Sequence, residues 1–80
     1  MSELQQQIEE LDLTGLKCPL PALMTARALR RLPPGALLLV TVSDALAPLD
    51  LQFLCEREGH LLVEHSKLDA VSRLLLKCKG

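Results

Sequence analysis

One cysteine in this chain stands where its neighbours bear on its reactivity. In Gly15-Leu16-Lys17-Cys18-Pro19-Leu20-Pro21, a turn-forming glycine, a lysine and two prolines surround the thiol. Proline is tolerated in the first turn of a helix, where its missing N–H would have had no intrahelical partner. Pro19 and Pro21 therefore suit the first and third positions of a helix. A residue before proline is pushed out of the α region, which predicts Cys18 at the N-cap. A sulfur there would lie beside unpaired N–H groups at the positive end of the helix, and thiolate is the expected form, with Lys17 adding in the same direction. The prolines would hold it in place at little further entropy cost. A small buried hydrophobe at a helix entrance also fits the position, and the local residues do not choose between plug and working thiol.

The remaining residues able to do chemistry are sparse. Cys55 and Cys78 complete an odd set of three cysteines, and His60 and His65 are the two histidines. There is no Cys-x-x-Cys and no pair of candidate ligands at metal-binding spacing, so no metal site is expected. Asp12, Asp44 and Asp50 can form a carboxylate cluster, although turn and capping roles account for each more simply. His60 and His65 read as structural.

The elements that must position Cys18 follow from hydrophobic patterning. Glu10 to Thr14 alternates as a short half-buried strand with Leu11 and Leu13 on one side. A helix is expected from Pro19 to about Leu32, stopped by Pro33-Pro34-Gly35. The run "ALLLVTV" (Ala36 to Val42) reads as a strand buried on both faces. Ser43 and Asp44 offer a helix start, Ala47 to Glu58 a second helix, and Gly59 its stop. His60 to Ser66 and Ala70 to Lys79 read as two strands joined at Lys67-Leu68-Asp69, a hairpin. The opening strand-helix-strand unit calls for a parallel pair with a right-handed crossover. The expected fold is α+β, a two-layer sandwich of order β-α-β-α-β-β, with a four-stranded mixed sheet and two helices on one face. Residues 1–9 read as an N-terminal extension to a single domain of residues 10–80.

Composition bounds the rest. Eighty residues place the chain near the size where a single core just suffices. With 49% apolar residues and only Phe53 aromatic, that core must be aliphatic. A formal net charge of −1 argues against a nucleic-acid binder, which needs a basic excess to neutralise phosphates. No apolar run approaches the ~20 residues needed to span a bilayer. The acidic, glutamine-rich start is unlike a signal peptide, so a cytoplasmic location with free thiols is expected.

Helical periodicity divides the surfaces. On the first helix Ala22, Thr25, Leu29 and Leu32 share one face, flanked by Ala26 and Ala28. Leu20, Leu23, Arg27, Arg30 and Arg31 lie opposite, with Met24 at the border. Three arginines cannot be the buried side, so Leu20 and Leu23 are expected at the surface beside Cys18. An apolar patch with a basic rim next to a thiol suits docking of a partner. On the second helix Leu51, Leu54, Cys55 and Ala47 fall together, making Cys55 a core residue. Leu49 and Phe53 fall on the other side, where they meet either a partner or a segment carrying Leu4 and Ile8. Cys78 shares a strand face with Leu74 and Leu76.

The segment from Gly15 to Pro21 resembles the signature of the TusA/SirA-like sulfur-carrier family, a glycine followed by Cys-Pro-x-Pro at the start of the first helix. The similarity extends through Asp12, Pro34-Gly35, Asp44, Asp50, Phe53-Leu54-Cys55 and Gly59-His60, covering about residues 10 to 66. The resemblance implies the two-layer sandwich already read from patterning. It further implies a sulfurtransferase activity in which Cys18, supported by Gly15, Lys17, Pro19 and Pro21, carries sulfur as a covalent persulfide without another cofactor. The implied partners are a cysteine desulfurase or rhodanese-type donor and a downstream acceptor, with Leu20, Leu23, Met24, Arg27, Arg30 and Arg31 as the docking face. Family members serve tRNA thiolation, sulfur oxidation or molybdenum-cofactor pathways. This chain departs from the tRNA-relay type at Leu20, where glutamate is usual, and at Ala45, where proline often follows the aspartate. Two other functions fit the same residues: a non-catalytic binding module, and a thiol redox sensor in which Cys18 would pair with another cysteine.

Overall fold

The structure, a computed structural model, describes residues 8–79. Its elements run β1 (Ile8–Leu13), α1 (Leu20–Arg31), β2 (Leu37–Val42), α2 (Ala47–Glu58), β3 (Leu61–Leu68) and β4 (Val71–Lys77). They form one sheet of order β1-β2-β4-β3, in which β1 and β2 are parallel and the β2–β4 and β4–β3 pairs antiparallel. The two most apolar strands thus take the centre. The edges carry the charged residues Glu9, Glu10 and Asp12 on β1 and Glu64 and Lys67 on β3, which discourage further pairing.

Both helices lie on one face, and between them and the sheet is the core. Leu13, Leu38, Val40, Val42, Leu74 and Leu76 point into it from the strands, Ala26 and Leu29 from α1, and Ala47, Leu51, Leu54 and Cys55 from α2. The interior is aliphatic, and Phe53 lies outside it. The expectation that β2 is buried on both faces does not hold: burial alternates along it, with Leu37, Leu39 and Thr41 only half-buried. Two helices can cover one side of the sheet, and among the described residues no element covers the other. Leu75 and Val71 share that open face with Leu37 and Leu39.

The chain reversals differ slightly from the patterning. β1 begins at Ile8, inside the segment read as an extension. Ile8 therefore pairs with Leu37 in the sheet rather than folding over Phe53, and Leu4 lies outside the described residues. β3 continues to Leu68, which pairs with Val71, so the hairpin loop is Asp69-Ala70, with Asp69 at a φ of 56°. A bulge between Leu62 and Glu64 interrupts the β3–β4 register. α2 spans the residues expected. Gly59 ends it with a φ of 83°, where its N–H and that of His60 both donate to the Cys55 carbonyl, at 2.8 and 2.9 Å.

Register sets which residues share an end of the sheet. Leu13 pairs with Val42 and Val42 with Ser72, so the loops after β1 and β2 leave side by side. Each leads into a helix running back across the sheet, and the starts of α1 and α2 therefore converge there.

Candidate functional site

The loop after β1 is built from short hydrogen bonds. Asp12 accepts from the Thr14 amide at 3.0 Å and from its hydroxyl at 2.8 Å, closing the turn that ends the strand. These two bonds hold the Asp12 carboxyl below its ordinary range. Gly15 follows with a φ of 86°, where a side chain would be strained. Its N–H donates to Ser43 Oγ at 2.7 Å, tying this loop to the one after β2. Leu16 turns back to pack against the core.

Cys18 comes next, and its placement departs from expectation by one residue. The N-cap of α1 is Pro19, with Leu20 the first helical residue and Pro21 the second. The Leu20 N–H donates to the Lys17 carbonyl at 2.9 Å, and that turn carries the chain into the helix one step later than the proline spacing suggests. Cys18 itself is exposed. Its N–H donates to Asp44 Oδ2 at 2.9 Å, and its thiol donates to Asp50 Oδ2 at 3.3 Å. Asp44 lies in the loop after β2 and Asp50 in the first turn of α2.

These carboxylates reverse the expected acidity. The Cys18 thiol is raised above its ordinary value of 9.0, first by the Asp50 hydrogen bond, then by desolvation and by the charges of Asp50 and Asp44. The α1 terminus offers fewer free donors than a helix start usually does. Pro19 and Pro21 have no N–H, and the Leu20 N–H is already spent on Lys17. The surroundings of Cys18 thus favour the thiol over the thiolate, with Asp50 Oδ2 accepting from it. Ser43, Asp44 and Asp50, for which patterning preferred helix-start, turn and capping roles, are brought to the Cys18 loop, while Asp12 closes its own turn. The available signal was topological: a right-handed crossover brings both helix starts to one end of the sheet, and Ser43, Asp44 and Asp50 sit at the second start.

The outer face of α1 is as periodicity requires. Leu20 and Leu23 are 46% and 60% exposed, Met24 is exposed beside them, and Pro21, Thr25, Ala26 and Leu29 are buried. Arg27, Arg30 and Arg31 are at the surface, with Arg30 3.9 Å from Glu58. On α2 the exposed apolar residues are Leu49 and Phe53, preceded by Leu46. The exposed apolar surface thus includes the first turns of both helices.

Cys55, Cys78 and His60 are held by packing or hydrogen bonds. Cys55 is in the core, where burial pushes its thiol up and Glu56 and Glu58 add to the effect. Cys78 is buried and directs its thiol to the Leu29 carbonyl at 3.4 Å. Its N–H donates to Ala36, just before β2, which places it at the opposite end of the sheet from Cys18. The six-residue length of β2 separates these ends by about 17 Å, beyond disulfide reach. His60 Nδ1 accepts from the Lys79 N–H at 3.0 Å, and its Nε2 lies 3.8 Å from Glu58. His65 is exposed on β3 and lines an open cleft with Ser43, Asp44 and Gln52. Among the described residues no group of three or more His, Cys, Asp or Glu is placed to hold a metal, and no helix is long and apolar enough to cross a membrane.

Comparison with known proteins adds to this geometry. Residues 9–77 match the family described as Sulfurtransferase TusA. A Neisseria meningitidis protein named as a candidate sulfur carrier is 42% identical over 71 residues, which are 89% of this chain and 96% of that one. The sulfur carrier protein TusA of Pseudomonas aeruginosa is 42% identical over 57 residues, 71% of this chain and 72% of its own. The crystal structure of a SirA-like protein from Desulfitobacterium hafniense matches with a TM-score of 0.79 at 25% identity, covering 92% of this chain and 100% of that one. With its two-layer fold, its converging helix starts and its match along nearly the whole length, the chain belongs to the TusA family of sulfur carriers.

Proposed function

We propose that Cys18 is the residue that carries sulfur, as a persulfide received from a donor protein and passed to an acceptor. The observation behind this reading is that Cys18 alone of the three free cysteines is exposed, in the loop that leads into α1. A carrier must meet two partners in turn, and only an exposed sulfur can do so. It must also keep its cargo between them, which requires that no neighbouring thiol attack it. Burial of Cys55 and Cys78 meets that need, and it disfavours a redox sensor, which would require a resolving cysteine in reach of Cys18.

The donor is a cysteine desulfurase or a rhodanese-type protein, and the acceptor another sulfurtransferase. Leu20, Leu23 and Met24, with Arg27, Arg30 and Arg31 around them, form the surface on which both dock. Leu20 makes the residue between the prolines apolar rather than acidic, so the partners of tRNA-relay carriers are not to be assumed for this chain.

Incubation with a cysteine desulfurase and labelled cysteine tests the reading. Intact-mass measurement should find one added sulfur on the wild type and none on Cys18→Ser. Label on Cys55 or Cys78, or no label where a known carrier is loaded, would overturn it and favour a non-catalytic binding module.

A further inference from the structure

The two carboxylates at Cys18 have different tasks. Asp44 Oδ2 accepts the backbone N–H of Cys18 at 2.9 Å, which fixes the loop. Asp50 Oδ2 faces the sulfur itself at 3.3 Å. Asp50 sits in the first turn of α2. Its helix is anchored by Ala47, Leu51 and Leu54 in the core, so the carboxylate is held rather than swung from a flexible loop.

We infer that Asp50 is a catalytic residue, relaying the proton between the attacking thiol and the departing sulfur each time the carried sulfur changes hands. The inference rests on Cys18 being the carrier site. At unloading, the acceptor's sulfur forms a bond to the outer sulfur of the Cys18 persulfide. The bond between that atom and Sγ breaks, and its electron pair stays on Sγ. The proton of the acceptor thiol passes to Asp50 Oδ2 and from there to Sγ, leaving Cys18 as a thiol and the acceptor as a persulfide. Loading is the same step in reverse, with Cys18 attacking and the donor sulfur departing protonated. The transferred sulfur keeps its oxidation state, so neither direction consumes an oxidant or a reductant.

The need for such a relay is greatest at unloading. A thiolate left beside the Asp44 and Asp50 carboxylates is a poor leaving group, because a leaving sulfur departs faster the lower its pKa, and both carboxylates raise that of Cys18. Without a proton supplied on the spot, the site would retain its cargo. The charges acting on Cys18 are those two carboxylates, with Lys17 adjacent in the chain and exposed.

The test compares two reactions of opposite demand in the wild type, Asp50→Asn and Asp50→Glu. Alkylation of unloaded Cys18 by iodoacetamide expels iodide, which takes no proton, and reports only how readily the thiol ionises. Discharge of preloaded Cys18 to glutathione, followed by the loss of one sulfur in the intact mass, needs a proton at Sγ. At pH 7, Asp50→Asn should alkylate faster than the wild type yet discharge at least about tenfold more slowly. Asp50→Glu, which keeps a carboxylate, should recover most of the discharge rate. If Asp50 acts only through its charge, removing it makes Cys18 a better leaving group; discharge as fast as wild type or faster in Asp50→Asn then overturns the relay. Should the Asn variant fail to fold by circular dichroism, Asp50→Ala takes its place: a discharge at least about tenfold slower supports the relay, and one as fast as wild type or faster overturns it. Wild-type protein that takes no sulfur on Cys18 overturns the carrier reading itself, a result visible before any discharge is measured.

Discussion

Asp44 holds the backbone N–H of Cys18 at 2.9 Å across 26 residues of sequence. With the Gly15 N–H on Ser43 Oγ, this pins the loop after β1 to the loop after β2 at two points. Cys18 is exposed, yet its main chain is fixed by a partner on the neighbouring strand's exit.

Asp44→Ala removes a charged acceptor and leaves that N–H to water. The expected cost is about 1 kcal/mol, the usual net worth of such a bond where solvent can compensate. A lowered urea midpoint with an unchanged slope would record it. The same variant should make Cys18 easier to ionise, because Asp44 is one of the charges raising its pKa.

Iodoacetamide at neutral pH should modify Cys18 alone in the folded protein, with Cys55 and Cys78 reacting only on unfolding. The rate should rise with pH toward an inflection above 9.0, the ordinary thiol value. Its effect on stability has a definite sign. A folded-state pKa above the unfolded one favours the fold fully below the unfolded value, and this contribution is lost as pH rises through the folded value. Stability should therefore fall more steeply in alkali for the wild type than for Cys18→Ser, as followed by thermal melts between pH 7 and 11.

Leu20→Glu and Arg27→Glu should each slow transfer to or from the true partner by about tenfold, the loss typical of an interface anchor. Both residues are exposed, so melting temperatures should be nearly unchanged. Transfer rates equal to wild type in both variants would remove this face from the docking surface.

Thr25 is fully buried under α1, and its hydroxyl has no hydrogen-bond partner. An unsatisfied buried hydroxyl is a cost that a methyl of similar shape does not carry. Thr25→Val should raise stability by about 1 kcal/mol, measured as a higher urea midpoint. A drop would mean that packing against this hydroxyl outweighs its lost hydration.

Much of the fold was legible because its determinants are local and periodic. The span of α2 followed from Gly59 and its spacing of leucines, and the arginines at positions 27, 30 and 31 placed Leu20 and Leu23 outside. β2 was misjudged because a continuous apolar run does not reveal whether its second face is covered. The position of Cys18 followed to within one residue, but the sign of its acidity did not. Local reasoning saw a helix terminus and a lysine. The groups that decide the matter, Asp44 and Asp50, arrive from 26 and 32 residues away and converge only once the crossover has formed.

The burial of Cys55 and Cys78 links the stability of this domain to the lifetime of what it carries. On the proposed function, a thiol able to steal the sulfur from its own chain becomes available only when the core opens. For a domain stable by about 5 kcal/mol, that is about one molecule in several thousand at any instant. A core substitution away from the site, such as Leu38→Ala, costing about 2–5 kcal/mol, would then turn a sound container into a leaking one without changing a residue of the Cys18 loop.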